Sequence, residues 1–289
     1  MTPRSIILYS LYALVMFAVL SVMLFPAQLA GLHVSRFLSS LDPGVAVSVK
    51  AVEPDLPMSI RLIDTRILGK EMPPVHLDTL RVTPDIWSMF TRLKTMGFHG
   101  GSGTGTLEGS VSAALNLPAS DFDATLKLTD FIFSDVTYAS AGTVLGLSGV
   151  VDGNLSLGCH QDQGLRGTGT YRVSRCFVKV LDPIFNPLGI SELKFKTIDI
   201  TLTMEGTKLI VQEINAQGTE MNLSAKGLIL VKLPFGLSTV LLKGHVQPNP
   251  SYVKKLAGIS SVSMLFDDSN RQGIPFTVTG TVGEAKVGL

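Results

Sequence analysis

Apolar and polar residues alternate with a period of two from residue 45 almost to the end of this chain, and that pattern constrains the fold more than any other feature. Successive side chains of an extended strand point to opposite faces, so the alternation builds half-buried strands. The stretch TLEGSVSAALNL, residues 106–117, sets Leu107, Val111, Ala113, Leu115 and Leu117 on one side against Glu108, Ser110, Ser112 and Asn116. The pattern returns at Val45, Val47 and Val49; at Met58, Ile60 and Leu62; across 77–82; at Phe122, Ala124, Leu126 and Leu128; at Leu155 and Leu157; and at Tyr171 and Val173. It continues through Leu193, Phe195, Ile198, Ile200 and Leu202, then Leu209, Val211, Met221, Leu223, Ala225, Phe276 and Val278. Gly, Asn, Asp or Pro separates these runs. The expectation is a mainly β protein in which residues 31–289 form one elongated, curved antiparallel sheet domain with two or three short helices.

GSGTGTLEG, residues 101–109, has the glycines of a phosphate cradle. A phosphate loop would hand the chain to a helix whose N-terminal amides hold the anion, whereas here the glycines lead into a strand. GTGTYRVSRC at 167–176 and VTGTVGEAKVGL at 278–289 repeat the arrangement, so we read all three as sheet segments and expect no nucleotide cofactor.

Only 16% of residues are charged, and 24 Lys and Arg oppose 23 Asp and Glu. No basic block exists, so the electrostatic footprint of a nucleic-acid partner is missing. The apolar excess is concentrated first in IILYSLYALVMFAVLSVMLF, residues 6–25, which carries no charge. As a helix it would span roughly 30 Å, the thickness of bilayer hydrocarbon. Signal peptides have shorter apolar cores and small residues before the cleavage point. The positions two before Ala27 and Ala30 are Phe25 and Gln28, so residues 1–30 read as a cytoplasmic tip and an uncleaved membrane anchor. Arg4 and the amino terminus on one flank place the N-terminus in the cytoplasm and the rest of the chain outside the inner membrane. Cys159 and Cys176 then lie in an oxidising compartment, where a disulfide is permitted. A hairpin turning near 161–163 puts Cys159 opposite Leu165 and Cys176 opposite roughly Ser148, so two free thiols fit at least as well as a bridge.

LAGLHVSRFLSSLDPG, residues 29–44, suggests a short amphipathic helix stopped by Pro43 and Gly44. Thr83 before Pro84 predicts a helix over IWSMFTRLK, with Thr83 as its cap, and Asn249 before Pro250 predicts another over SYVKKLA. Trp87, the single tryptophan, is expected against the sheet or at a lipid interface.

Residues that could carry chemistry are scattered. The histidines stand at 33, 76, 99, 160 and 245, none paired at metal-ligand spacing, and His160 beside Cys159 is the nearest approach. Asp121 and Asp123 share one face of a strand near Asp130 and Asp135, but alternation with Phe122, Ala124 and Leu126 marks them as its solvated side. Asp267 and Asp268 belong to a turn. GLSGV at 146–150 and GGSGT at 100–104 lack the closing glycine of a serine-nucleophile elbow. We therefore expect no catalytic, cofactor or metal site and no enzyme activity.

VSRFLSSLDPGVAVSVKAVEPDLPMSIRLIDTRIL, LRVTPDIWSMF ahead of a glycine-rich strand, and the closing IPFTVTGTVGEAKVGL give the chain a further reading. With the apolar N-terminal run, these segments resemble the deltaproteobacterial-type type II secretion system protein N and, more distantly, the AsmA-like periplasmic proteins. The resemblance implies an accessory component of the type II secretion machinery, anchored in the inner membrane by residues 6–25 and contacting other secretion subunits through a periplasmic β domain. The AsmA-like side implies instead a lipid-handling protein whose sheet shields acyl chains. Neither implies site residues that could be carried over.

Overall fold

The structure is a computed structural model that describes residues 16, 27–41, 45–55, 58–69, 75–91, 93–114, 121–140, 143–160, 164–180, 192–232, 235–250 and 273–288. The proposed anchor at 6–25, apart from Met16, lies outside the described residues, as do the turn at 267–268, the proline-rich stretch 182–189 and nearly all of the helix expected after Asn249. Among the described residues no helix is long and apolar enough to cross a membrane.

A single sheet accounts for almost everything described. Helix α1 (Ala27–Leu41) leads to β1 (Val45–Asp55), β2 (Ser59–Gly69), β3 (Val75–Pro84), β4 (Leu93–Ser102), β5 (Gly105–Ala114), β6 (Phe122–Ser140) and β7 (Thr143–His160). The second half holds β8 (Gly164–Val180), β9 (Glu192–Glu205), β10 (Lys208–Gly218), β11 (Met221–Leu230), β12 (Thr239–Pro248), β13 (Ile274–Thr281) and β14 (Ala285–Gly288). Each strand pairs with the next in sequence, giving an open antiparallel meander of fourteen strands, β1 to β14 in order. At roughly 4.8 Å per strand the sheet extends about 60 Å from first strand to last.

The glycine-rich stretch becomes the β4–β5 hairpin. Ser102 pairs with Gly105 across a two-residue turn. Gly103 has φ +59°, the left-handed value that glycine supplies at the first central position of a type II′ turn. Asp78 Oδ2 accepts a 2.8 Å hydrogen bond from the Gly103 amide and holds the turn against β3. The C-terminal segment likewise forms the β13–β14 hairpin.

One expected helix is corrected. Thr83 and Pro84 are the last residues of β3, where Thr83 pairs with Gly97 and Pro84 with Met96. Only Trp87–Phe90 turns helically, as a single 3-10 turn without a side-chain cap from Ile86. Strand pairing won because the β3 alternation runs on through Val82 and Pro84. Met58, expected in a strand, sits in the turn before β2. The 29–44 helix is realised as α1, packed on β1 with Ala30 and Val34 against Val49, Val52 and Leu62. The Val49 amide donates to Ser35 Oγ at 2.8 Å, which fixes the helix on the strand.

Candidate functional site

Strand register turns local alternation into rows that cross the whole sheet. Directly paired residues project from the same face. One row passes from Val52 through Leu62, Leu80, Gly100, Leu107, Leu128, Gly153, Tyr171, Ile200, Ile214, Ala225 and Gly244 to Phe276. The row two residues along begins at Pro54 and Ile60 and runs through Val82, Phe98, Gly109, Leu126, Leu155, Gly169, Leu202, Val211, Gly227, Leu242 and Val278 to Val287. A third runs from Pro84 through Met96, Val111, Ala124, Leu157, Gly167, Met204, Leu209, Ile229, Val240 and Gly280 to Ala285. All three rows contain only apolar residues, glycine and one tyrosine. The opposite face carries rows such as Glu53, Arg61, Arg81, His99, Glu108, Lys127, Asn154, Thr170, Thr201 and Glu213.

Burial divides the apolar face into three parts. Under α1, Val49, Val52 and Leu62 are buried. Toward the far end Phe195, Val211, Ala216, Ala225, Val240 and Phe276 are buried as well. Between them, across β3–β8, the leucines, Phe98 and Tyr171 of the rows are only half-buried, and Met96 and Val111 are exposed. Here glycines notch the surface. The Phe98 ring lies over Gly109, and the Tyr171 ring lies over Gly153. Burial beneath its neighbours pushes the Tyr171 hydroxyl above its ordinary range.

The register also slips within this region. Shifts fall between Leu128 and Phe131, between Phe133 and Val136, and between Ser148 and Val150. Asp130 and Arg175, at such points in β6 and β8, take positive φ of 49° and 51°. Each bulge bends its strand and re-phases the alternation, so that Phe131 and Val151 rejoin the apolar face after Leu128 and Gly153.

Of the residues singled out for chemistry, His76, His99, His160 and Asp123 fall on the polar face, where each histidine contacts a carboxylate. Asp55 Oδ2 receives both Arg61 Nη2 at 3.0 Å and Arg81 Nη2 at 2.7 Å. His76 Nε2 lies 2.9 Å from Asp64 Oδ1. That hydrogen bond, with a second from Arg66, holds the Asp64 carboxyl below its ordinary range. His99 pairs with Glu108 at 3.1 Å, His160 with Asp123 at 3.3 Å, and Arg172 with Asp199 at 2.7 Å. Asp123, Thr125 and Lys127 are exposed, the solvated side the alternation predicts. Asp130 instead donates its amide to Asp152 Oδ1 across the bulge. His160 does not join Cys159 in a ligand set, and among the described residues no group of three His, Cys, Asp or Glu is placed to hold a metal.

The same face carries a groove of about 740 Å3. It is lined by three consecutive residues from each of β4–β8, centred on Phe98, Gly109, Leu126, Leu155 and Gly169, with Thr83 of β3. The residues two away in each strand are not part of it, so its walls are the outward rows, Ser110, Thr125, Ser156 and Thr168 on one side and His99, Glu108, Lys127 and Asn154 on the other. Both cysteines are free thiols. Cys159 pairs with Leu165, while Cys176 pairs with Phe195 of β9; Ser148 stands opposite Phe177 because of the β8 bulge.

Sequence reasoning found most of the strands, the solvated carboxylates and one continuous apolar face, but not β12 or the register that sets which residues line up in each row. Compared with protein-family models, curated proteins and solved structures, the chain gives no match in any of the three.

Proposed function

We propose that this chain is a non-enzymatic, membrane-anchored envelope protein that shelters lipid acyl chains on the apolar face of its sheet. The observation that carries the proposal is the set of three apolar rows left half-covered across β3–β8. A contiguous apolar surface of that extent needs an occupant, and hydrocarbon chains suit a surface with few polar groups to orient a ligand. Residues 6–25 would hold the protein in the inner membrane with its bulk in the periplasm. The test is mass spectrometry of lipid released from the full chain purified in mild detergent, for the wild type and for Leu126→Asp and Leu155→Asp. Phospholipid bound to the wild type and depleted in both folded variants is expected; a lipid-free wild type refutes it.

The second reading is the accessory role in type II secretion. Its support is the open meander: among the described residues β1 and β14 each pair on one side only, and an unpaired edge accepts a strand from another subunit. Gene deletion separates the two. Folded exoproteins retained in the periplasm without outer-membrane leakage favour secretion, whereas intact secretion with an altered permeability barrier favours lipid handling.

A further inference from the structure

The turn between β3 and β4 carries the most exposed aromatic pair among the described residues, Trp87 at 81% and Phe90 at 83%. Ile86, next to Trp87 in sequence, and Met58, in the turn between β1 and β2, are exposed too. Such side chains ordinarily retreat from water, yet this turn is built to hold them out. The Ser88 hydroxyl is buried beneath it, donating to the Asp85 carbonyl at 2.6 Å and accepting from the Thr95 amide at 2.9 Å. The Asp85 amide donates to the Thr95 carbonyl at 2.9 Å, the Trp87 amide to Asp85 Oδ1 at 3.0 Å, and the Thr91 amide to the Ser88 carbonyl at 3.0 Å. Lys94 Nζ donates to the Thr91 carbonyl at 2.7 Å. The turn satisfies these backbone groups from within, the condition for placing irregular backbone against hydrocarbon.

The position of α1 says what lies beyond that turn. Gly31 sits against Val49 and Ala51, and Ser35 is bonded to Val49, while the C-terminal end of α1 leads into Val45. The helix therefore runs antiparallel to β1, and its first residue, Ala27, points toward the Asp55 end of that strand. Asp55 pairs with Ser59, and Ile60 with Val82, so this rim of the sheet is the one that bears the Trp87 turn. The uncharged run at 6–25 ends two residues before Ala27. The chain thus enters the sheet from its apolar run at the same rim that displays Trp87 and Phe90.

We propose that the β3–β4 turn is a second membrane contact, with Trp87 and Phe90 seated at the boundary between headgroups and acyl chains of the bilayer that holds the N-terminal run. Tryptophan is enriched at that depth because its ring is apolar and its indole N–H is not. The inference goes beyond acyl-chain sheltering and rests only on the membrane-anchor part of that reading.

Trp87 is the sole tryptophan, so its fluorescence reports this turn alone. The full chain would be reconstituted into phosphatidylcholine vesicles containing phosphatidylglycerol, with and without lipid brominated near the headgroup, and vesicle association followed by flotation. Expected are flotation, blue-shifted emission relative to detergent-free peptide reference, strong quenching by the brominated lipid, and less quenching in Phe90→Ser. Flotation with water-like, unquenched emission overturns the turn contact while leaving the anchor standing, and points to a protein partner at the turn. Failure to float overturns the anchor and the proposal together. Neither result touches the lipid-release measurement on Leu126 and Leu155.

Discussion

Thr65 offers a sharp test of the energetics under α1. It is 1% exposed, pairs with Val49 on one side and Leu77 on the other, and its hydroxyl has no hydrogen-bond partner. An unsatisfied buried hydroxyl costs about 1–3 kcal/mol, and valine has the same shape without it. Valine also keeps the β-branch that suits a strand. Thr65→Val should therefore stabilise the fold by about 1–3 kcal/mol, which at roughly 2–4 °C per kcal/mol raises the midpoint by about 2–12 °C. Thr65→Ser keeps the hydroxyl and deletes a methyl group, so it should lose about 1 kcal/mol. The assay is thermal unfolding of the full chain in detergent, followed by far-ultraviolet circular dichroism at matched concentration. A Thr65→Val protein no more stable than the wild type would refute the reasoning, because it would mean that the hydroxyl is usefully bonded in solution.

Three further outcomes follow from the geometry. A Cβ at Gly153 would meet the Tyr171 ring and come within 2.8 Å of the Thr170 carbonyl, so Gly153→Val should destabilise by about 1–3 kcal/mol in the same melt. Burial makes Cys176 4% exposed and pushes its thiol above the ordinary range, so a maleimide at neutral pH should label Cys159 in the native chain and both cysteines after denaturation. Labelling of neither without reductant would mean a disulfide. Asp64, lowered from its ordinary 3.8 chiefly by the His76 hydrogen bond, adds stability above that value and loses it as pH falls through the lower folded value. His76→Ala should therefore flatten the acid limb of a stability-against-pH curve, and an unchanged limb would show that the pair contributes nothing.

The sequence by itself determined most of the strands and their two faces, though not β12 or the start of β4. The alternation at Phe122–Leu128 or Ile198–Leu202 is a local property that any extended chain would express, so Asp123 and Lys127 were assigned to solvent from spacing alone. Gly103 was readable as a turn into a strand for the same reason. Only the tertiary structure decided how the strands align. A bulge at Asp130 or Arg175 adds one residue and reverses the phase, and no local pattern reveals whether the neighbouring strand compensates. Pairing with Met96 likewise drew Pro84 into β3 and left a single turn where the cap and proline favoured a helix. The three apolar rows, the half-covered band across β3–β8, and the shared rim of Ala27 and Trp87 are consequences of register and of the direction of α1. They arise between segments far apart in the chain, where the energy of burying one face is summed over strands and outweighs the preference of any one segment.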